Sequence, residues 1–343
     1  MTVSAPVAAR RPRVLVLRAL GLGDLLAAVP ALRGLRRAFP DHETVLAAPA
    51  PLRDAASATG AVDTLLPASA PRRGVPELTG WHGAPPDVAV DLHGNGPESH
   101  AALAALGPRR ILSYACPSPG PTAPPVWRRE DHERERWCRL LRAYGIEADP
   151  GDVLLSPPPG PSPAPGAVVV HPGAEAAARR WPADRYATVI RAVLAAGRRV
   201  VVTGGPGEEE LTAAVAGASG VASGDVLSGG LPFAELSALV AEAACLVSGD
   251  TGPAHLAVAH GTPSVTLFGP VAPRLWGPPP GDPLHTALWH PGPPGDPHGT
   301  VADPLLLRIG TGEVVASVLS HIDRGRTAGS RSGFRAAEAN GCA

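Results

Sequence analysis

The chain contains no lysine: within its 343 residues all 30 basic side chains are arginine. A phosphate-binding loop of the GxxxxGK[ST] type is therefore excluded, and so is Schiff-base chemistry, because both need the lysine amine. Cysteine is scarce, and the four present (Cys116, Cys138, Cys245 and Cys342) form no CxxC pair and no metal-like cluster. That spacing argues against a disulfide scaffold or a structural zinc site and for isolated reduced thiols. The formal net charge is only −1, which offers no broad attraction to phosphate polymers, so no nucleic-acid partner is expected. No apolar run approaches the ~20 residues of a membrane-spanning helix. Met1–Arg13 lacks the apolar segment of a secretory leader, and the expected location is the cytoplasm. With 44% hydrophobic and 18% charged residues the composition is that of a globular chain, since disorder needs the opposite balance. A chain of this length has room for two domains.

What is present is a strand–helix alternation that runs twice. Val14–Leu17 is a continuous apolar run suited to a parallel strand buried on both faces. A glycine-punctuated turn, Gly21-Leu22-Gly23-Asp24, follows, and from Leu25 to Phe39 apolar residues recur at helical spacing with Arg33, Arg36 and Arg37 on the other face. Thr44–Ala48 and Asp87–Leu92 read as further strands, the second running into the loop His93-Gly94-Asn95-Gly96. Residues 130–145 read as a charged helix with a solvated face, His132 included. The run Ser156–Gly166 is too rich in proline to continue a helix or a central strand, so it reads as a semi-rigid linker. Beyond it the alternation restarts, with strands at Ala167–Val170, Arg199–Thr203, Cys245–Ser248 and Ser264–Phe268. Residues 277–304 carry too much Pro and Gly for regular structure, and a last helix near Glu313–Ile322 precedes a polar tail. The expected organisation is an α/β chain of two doubly wound, Rossmann-like domains: 1–156, a linker at 157–166, 167–323, and a disordered tail at 324–343. Two such halves are expected to enclose a central cleft, with ligands beyond the carboxyl ends of the strands.

Three segments carry residues suited to chemistry. In the first turn, Gly21 and Gly23 let backbone approach a ligand, but Leu26 stands where a dinucleotide fingerprint needs its third small residue. Asp24 reads either as a helix N-cap or as a carboxylate able to act as general base, and spacing alone favours the cap. In Ser248-Gly249-Asp250-Thr251-Gly252-Pro253-Ala254-His255 a strand enters a small-residue turn and a helix start. Its N–H groups, the Thr251 hydroxyl and the helix dipole suit a phosphate. Asp250 would repel a phosphate at close range and is better suited to ordering the loop or taking sugar hydroxyls. His255 could face a phosphate or simply pack. In His171-Pro172-Gly173-Ala174-Glu175 through Arg179-Arg180-Trp181-Pro182, two arginines could clamp a pyrophosphate or form a solvated basic turn. Glu235, on its own, reads as a first-turn surface carboxylate, and His93 as a ligand wall or an ordinary turn residue.

Taken in order, the GLGD turn with Pro30–Pro40 (PALRGLRRAFP), Asp91–Asn95 (DLHGN), His171–Pro182 (HPGA…RRWP), Thr203–Glu208 (TGGPGE) and Gly249–Pro270 (GDTGPAHLAVAHGTP…LFGP) resemble glycosyltransferase family 9, the heptosyltransferase family, over about residues 13–320. The resemblance implies the GT-B fold, two facing Rossmann-like domains with a central cleft, the donor held mainly by the second and the acceptor by the first. It implies Asp24 as catalytic base. It implies Asp250, Thr251, Gly252 and His255 as contacts to donor diphosphate and sugar, Glu235 as partner of the donor ribose, and Arg179 in the place of a phosphate-binding lysine. Gly173-Ala174 replaces a hydroxyl-bearing pair, so contact there would be through backbone N–H groups. Arg18, Gly21, Gly23 and His93 fall on the acceptor side. The implied activity is inverting, metal-independent transfer of a sugar, a heptose, from an ADP-heptose-like donor, with no cofactor and no metal. The implied partners are a nucleotide-sugar donor and a glycan, lipid-linked or small-molecule acceptor; a lipid-linked acceptor would add transient contact with the inner face of the cell membrane. Three rivals stand beside this. One is a nucleotide-sugar epimerase of the same architecture. Another is a nicotinamide-dependent dehydrogenase using Asp41 or Glu43. The third is a donor-binding module without turnover.

Overall fold

The computed structural model describes residues 11–115 and 125–324; Cys116, Cys342 and the tail expected beyond 324 lie outside the described residues. The chain divides into two compact units, Met1–Asp152 and Val153–Ala343. The proline-rich stretch 157–166 falls within the second, where the Gly166 N–H donates to the Glu242 carbonyl at 2.8 Å.

The first unit is a parallel sheet of β1 (Arg13–Leu17), β2 (Glu43–Ala48), β3 (Thr64–Pro67), β4 (Val88–Asp91) and β5 (Arg110–Leu112). The spatial order is β3-β2-β1-β4-β5. Its helices are α1 (Leu22–Ala38), α2 (Arg53–Ala58), α3 (Pro97–Ala104) and α4 (Glu133–Ala143). Every residue of β1 is buried, which is why a run of Val and Leu without polar alternation stands at the sheet centre, in register with β2 on one side and β4 on the other. Leu25, Val29, Leu32 and Leu35 line the buried side of α1, and Arg36 and Arg37 fall in its last turn, where a cation complements the helix dipole.

The second unit repeats the plan with β6 (Val168–His171), β7 (Val200–Thr203), β8 (Val226–Leu227), β9 (Cys245–Gly249), β10 (Ser264–Leu267) and β11 (His285–Leu288). Their order is β11-β10-β9-β6-β7-β8. Counted from its own first strand this is 3-2-1-4-5-6, the dinucleotide-fold order. Around it lie α5 (Ala183–Ala195), α6 (Glu209–Ser219), α7 (Phe233–Ala241), α8 (Gly252–His260), α9 (Pro273–Trp276) and α10 (Pro304–Leu307). A last helix, α11, runs from 311 to 324. Trp181 and Tyr186 anchor the core edge-to-face, their ring centroids 5.1 Å apart, and the indole N–H is satisfied by the Ile309 carbonyl at 3.2 Å. Cys138 and Cys245 are buried free thiols, each pushed up to about 12 by burial, which leaves them inert.

Two expectations need correction. Residues 277–304 are not without regular structure: β11 pairs in parallel with β10 over His285–Leu288. An edge strand needs a ladder on one side only, and its four residues lie between the prolines. The helix expected at 130–145 is only in part a solvated charged face, through the exposed pair of Glu135 and Arg142. Glu133, Arg134 and Arg136 are all buried; Glu133 pairs with Arg18 and Arg136, and such pairing lets charged side chains enter an interior that single-residue polarity would deny them.

Candidate functional site

In a doubly wound sheet the connections leave in opposite directions from two adjacent central strands, and the crevice beyond their carboxyl ends is free of crossover chain. In the first unit those strands are β1 and β4, paired through Leu17 and Asp91. In the second they are β6 and β9, paired through His171 and Ser248. Arg18, Gly21, Gly23, Asp24 and His93 fall at the first point and Gly173, Ala174, Arg179, Asp250, Thr251, Gly252 and His255 at the second; Glu235 falls at neither, and Glu43 stands at the opposite, amino-terminal end of β2.

At the first point α1 begins earlier than its apolar pattern suggested. Gly21 is the N-cap and Asp24 is the third helical residue, so the N-cap reading of Asp24 is corrected by one turn. Its carboxylate still serves the helix start, accepting the Gly21 N–H at 3.1 Å, as an acid at this position does in a capping box. Two arginines converge on the same group. Arg73 Nη2 lies 2.8 and 2.9 Å from the two oxygens, and Arg18 Nη2 lies 3.3 Å from Oδ1. Burial by itself would push the Asp24 carboxyl up; the charges of Arg18 and Arg73, with the bonds from Arg73 and Gly21, outweigh it and hold the group below the ordinary carboxylate value. Asp24 is therefore ionised at neutral pH and able to accept a proton.

Arg73 reaches Asp24 from a tight turn, Pro71–Arg73, in which Arg72 and Arg73 hold φ values of 54° and 58°. Two successive non-glycine residues in the left-handed region carry a backbone cost of order 1–3 kcal/mol each. That turn is also held by His93, whose Nε2 is 3.2 Å from the Gly74 carbonyl. Burial pushes the His93 imidazole down; neutral, it donates from Nε2, and its Nδ1 then has no partner among the described residues. The His93 loop hangs on Asp91, which accepts from the Ser99 hydroxyl at 2.6 Å and from the His93 N–H at 2.9 Å. Burial raises the Asp91 carboxyl against these bonds.

Arg18, placed on the acceptor side by the resemblance, is 1% exposed and faces protein rather than solvent. Its guanidinium donates to the carbonyls of Asp24 and Leu92, to Asp24 Oδ1 and to Glu133 Oε1. Sequence reading missed both Arg73 and Glu133. The first stands 49 positions from Asp24 and the second 115 from Arg18, and no local pattern connects them. The one available signal was a cluster of acids and arginines beside Trp137.

At the second point the β9–α8 turn carries Asp250, Thr251, Gly252 and His255. Thr251 is the N-cap of α8 and Gly252 its first residue; Pro253 has no N–H and the Ala254 N–H donates to the Thr251 carbonyl at 3.1 Å, which leaves the Gly252 N–H as the first-turn donor for a ligand. His255 Nε2 lies 3.5 Å from Asp250 Oδ1, and the imidazole meets Trp276 edge-on at 5.9 Å. Arg179 comes from the 177–179 turn after β6, and its Nη1 donates to the Asp250 carbonyl at 3.1 Å. Its buried Nε has no hydrogen-bond partner among the described residues. Arg179, Asp250, Leu267, Gly269, Pro270 and Val271 line a narrow crevice beside it, with no room for a water molecule.

Gly173 and Ala174 form the floor of the β6 turn. An ideal Cβ on Gly173 would lie 1.9 Å from Glu208 Oε2, so the Glu208 carboxylate occupies the place of a side chain there. Glu208 is fixed by the Gly205 N–H at 2.8 Å, and this accounts for a glycine at position 173. The Ala174 carbonyl accepts from Arg180 Nε at 2.7 Å. Glu235 is exposed in the first turn of α7. Among the described residues there is no group of three or more His, Cys, Asp or Glu placed to hold a metal ion, and no helix is long and apolar enough to cross a membrane.

Residues 159–291 match the sequence profile of glycosyltransferase family 9 (heptosyltransferase). No curated protein sequence matches the chain. Among solved structures, the glycosyl transferase family 9 protein from Veillonella parvula superposes with a TM-score of 0.73 at 18% identity, over 91% of this chain and 98% of that one. The ADP-heptose lps heptosyltransferase II of E. coli gives 0.70 at 19% identity, over 92% and 99%. The E. coli heptosyltransferase WaaC with ADP gives 0.65 at 19%, over 90% and 99%. At such identities the structural likeness establishes the α/β fold of two parallel sheets that these enzymes share, and the profile match lies on the β6–β11 unit that carries the second site. The chain thus shares the fold of these enzymes, and its segment 159–291 is similar to glycosyltransferase family 9.

Proposed function

We propose that the protein is an inverting, metal-independent glycosyltransferase that moves a heptose-type sugar from a nucleoside-diphosphate donor, ADP-heptose or a close analogue, to an acceptor hydroxyl. The observation that carries the donor assignment is Arg179: a buried guanidinium nitrogen without a partner among the described residues, beside the N-terminal end of α8. A diphosphate would supply acceptor oxygens for this nitrogen and for the Gly252 N–H at the start of α8. Solved structures of the same fold hold ADP and ADP-2-deoxy-2-fluoro heptose, which supports a donor of that class. Gly173 and Ala174 would contribute backbone N–H groups, Asp250 and His255 contacts to the sugar, and Glu235 a carboxylate for ribose hydroxyls.

In the proposed reaction the acceptor oxygen attacks the anomeric carbon from the face opposite the diphosphate. As the new C–O bond forms, the bond to the diphosphate oxygen breaks and the nucleotide leaves with its electron pair, through an oxocarbenium-like state. The hydroxyl proton passes to Asp24. For that the hydroxyl must take over one of the contacts now made by Arg73, the one cation on Asp24 with a partly exposed side chain. Arg179 and the α8 terminus would stabilise the charge growing on the leaving group, a role a divalent cation fills elsewhere. The acceptor is a glycan, a lipid-linked glycan or a small molecule, the lipid-linked case requiring contact with a membrane surface.

The test is incubation with ADP-heptose and a panel of other nucleotide sugars in EDTA, with product stereochemistry assigned by NMR. Transfer with inverted anomeric configuration is expected. Loss of activity in EDTA restored by a divalent metal, or a retained configuration, overturns the reading. An epimerised nucleotide sugar formed without acceptor would mark an epimerase, and donor binding with no turnover a binding module. Asp24→Asn is expected to leave donor affinity within about twofold and to lower turnover by about 10²–10⁴; unchanged turnover removes Asp24 as the base.

A further inference from the structure

Behind Asp24 lies a buried acid that the proposed reaction does not use. Glu133, in the first turn of α4, has a side chain only 6% exposed. Its Oε1 accepts from Arg18 Nη2 at 2.8 Å and from the Trp137 indole N–H at 2.9 Å, and its Oε2 accepts from Arg136. Arg136 in turn donates to the carbonyls of Arg128, Arg129 and Asp131. Burying a carboxylate costs several kcal/mol unless it is fully bonded, and this one is bonded on both oxygens.

We propose that Glu133 is a positioning residue for Asp24, acting through Arg18. The proposal rests on the reading of Asp24 as the base. One nitrogen, Arg18 Nη2, is shared between the two acids, at 2.8 Å from Glu133 and 3.3 Å from Asp24. Glu133 takes the shorter contact and thereby draws part of the guanidinium charge away from the base. It also fixes the plane of the Arg18 head, whose other nitrogens hold the Asp24 and Leu92 carbonyls. The start of α1 and the end of β4 are thus tied to α4 through one side chain.

Without Glu133 the buried guanidinium would act on Asp24 undivided and make it a weaker base. The charged and titratable groups around Asp24 are Arg18 from the end of β1, Arg73 from the 71–73 turn and His93 from the loop after β4. From α4 come Glu133 and Arg136, with opposite charge and therefore opposite effects on Asp24.

The experiment is a carbon-13 carboxyl NMR titration of Asp24 in the full chain, its signal assigned by Asp24→Asn. It is done in an Arg73→Met background, which lifts the midpoint into a convenient range. Glu133→Gln is expected to lower the Asp24 midpoint by about one pH unit. Arg136→Met, which leaves Glu133 to act on Arg18 alone, is expected to raise it. If one variant does not fold, the other carries the test. A midpoint that stays still in a folded variant, or one that moves against the stated sign, overturns the proposal. The titration needs no substrate, so its failure is separate from that of the base assignment: turnover retained by Asp24→Asn would remove the base and leave the coupling standing.

Discussion

Of the two arginines on Asp24, Arg18 is 1% exposed and Arg73 27% at the side chain, so only Arg73 can be exchanged for a substrate without opening the interior. Arg73→Met removes its charge while keeping the length of its stem. The Asp24 carboxyl is held below its ordinary value in part by that charge, so the substitution moves it up. The linkage follows directly. A carboxylate with a depressed folded-state value stabilises the fold above its unfolded value of about 3.9, and that contribution is lost as the pH falls through the folded value. Urea unfolding should therefore find Arg73→Met less stable by about 1 kcal/mol at pH 7, with the gap to the parent closing as the pH falls from about 5 to 3. A gap that is constant with pH would mean that Arg73 stabilises its turn rather than the charge on Asp24. Asp24 itself was legible as a candidate, because an acid beside glycines after a buried strand has few roles. Its environment was not. Arg73 and Glu133 come from turns and helices whose approach to α1 depends on the whole sheet, and nothing in their neighbours' spacing encodes it.

At the scale of elements, the central strands were legible because burial on both faces demands unbroken apolar runs, as in β1, β6 and β9. Edge strands escape that demand: β3, β8 and β11 are short, and β8 and β11 are half-buried throughout, so no pattern announced them. Helix α4 was misread for the opposite reason, its charged residues being neutralised inside the unit. The β9–α8 turn shows how element packing is enforced by a single atom. An ideal Cβ on Gly249 would lie 2.8 Å from the Arg179 carbonyl oxygen, and backbone cannot yield as a side chain can. Gly249→Ala is expected to lower stability by about 1–3 kcal/mol and to weaken ADP binding about tenfold, since it pushes the Arg179 turn away from α8. Gly217, exposed in α6 with open space around its Cβ position, is the control. Gly217→Ala should be neutral or stabilising by up to ~1 kcal/mol. Calorimetry for stability and titration calorimetry with ADP would check both, and equal effects at the two glycines would contradict the packing argument.

For the molecule as a whole, the repetition of one sheet plan was visible in the sequence because strand, turn and helix recur in the same order on either side of a proline-rich stretch. The point of division was less so. Proline density marks where regular structure stops, whereas a unit ends where its contacts end, and those extend back to Val153: the Leu155 N–H donates to the Ala259 carbonyl at 2.8 Å, within the second unit. That unit has its own six-stranded sheet and a core running from Val168 through Trp181 and Val247 to Ile322, the requirements for folding alone. All the residues assigned to the donor lie in it, and Asp24 does not. A polypeptide of residues 153–324 should therefore unfold cooperatively and bind ADP within about threefold of the full chain's affinity, a loss of less than about 1 kcal/mol, while showing no sugar transfer. Binding weakened a hundredfold in a fragment that still melts cooperatively would mean that residues 1–152 supply part of the nucleotide site, and the division of donor and base between the two sheets would have to be redrawn.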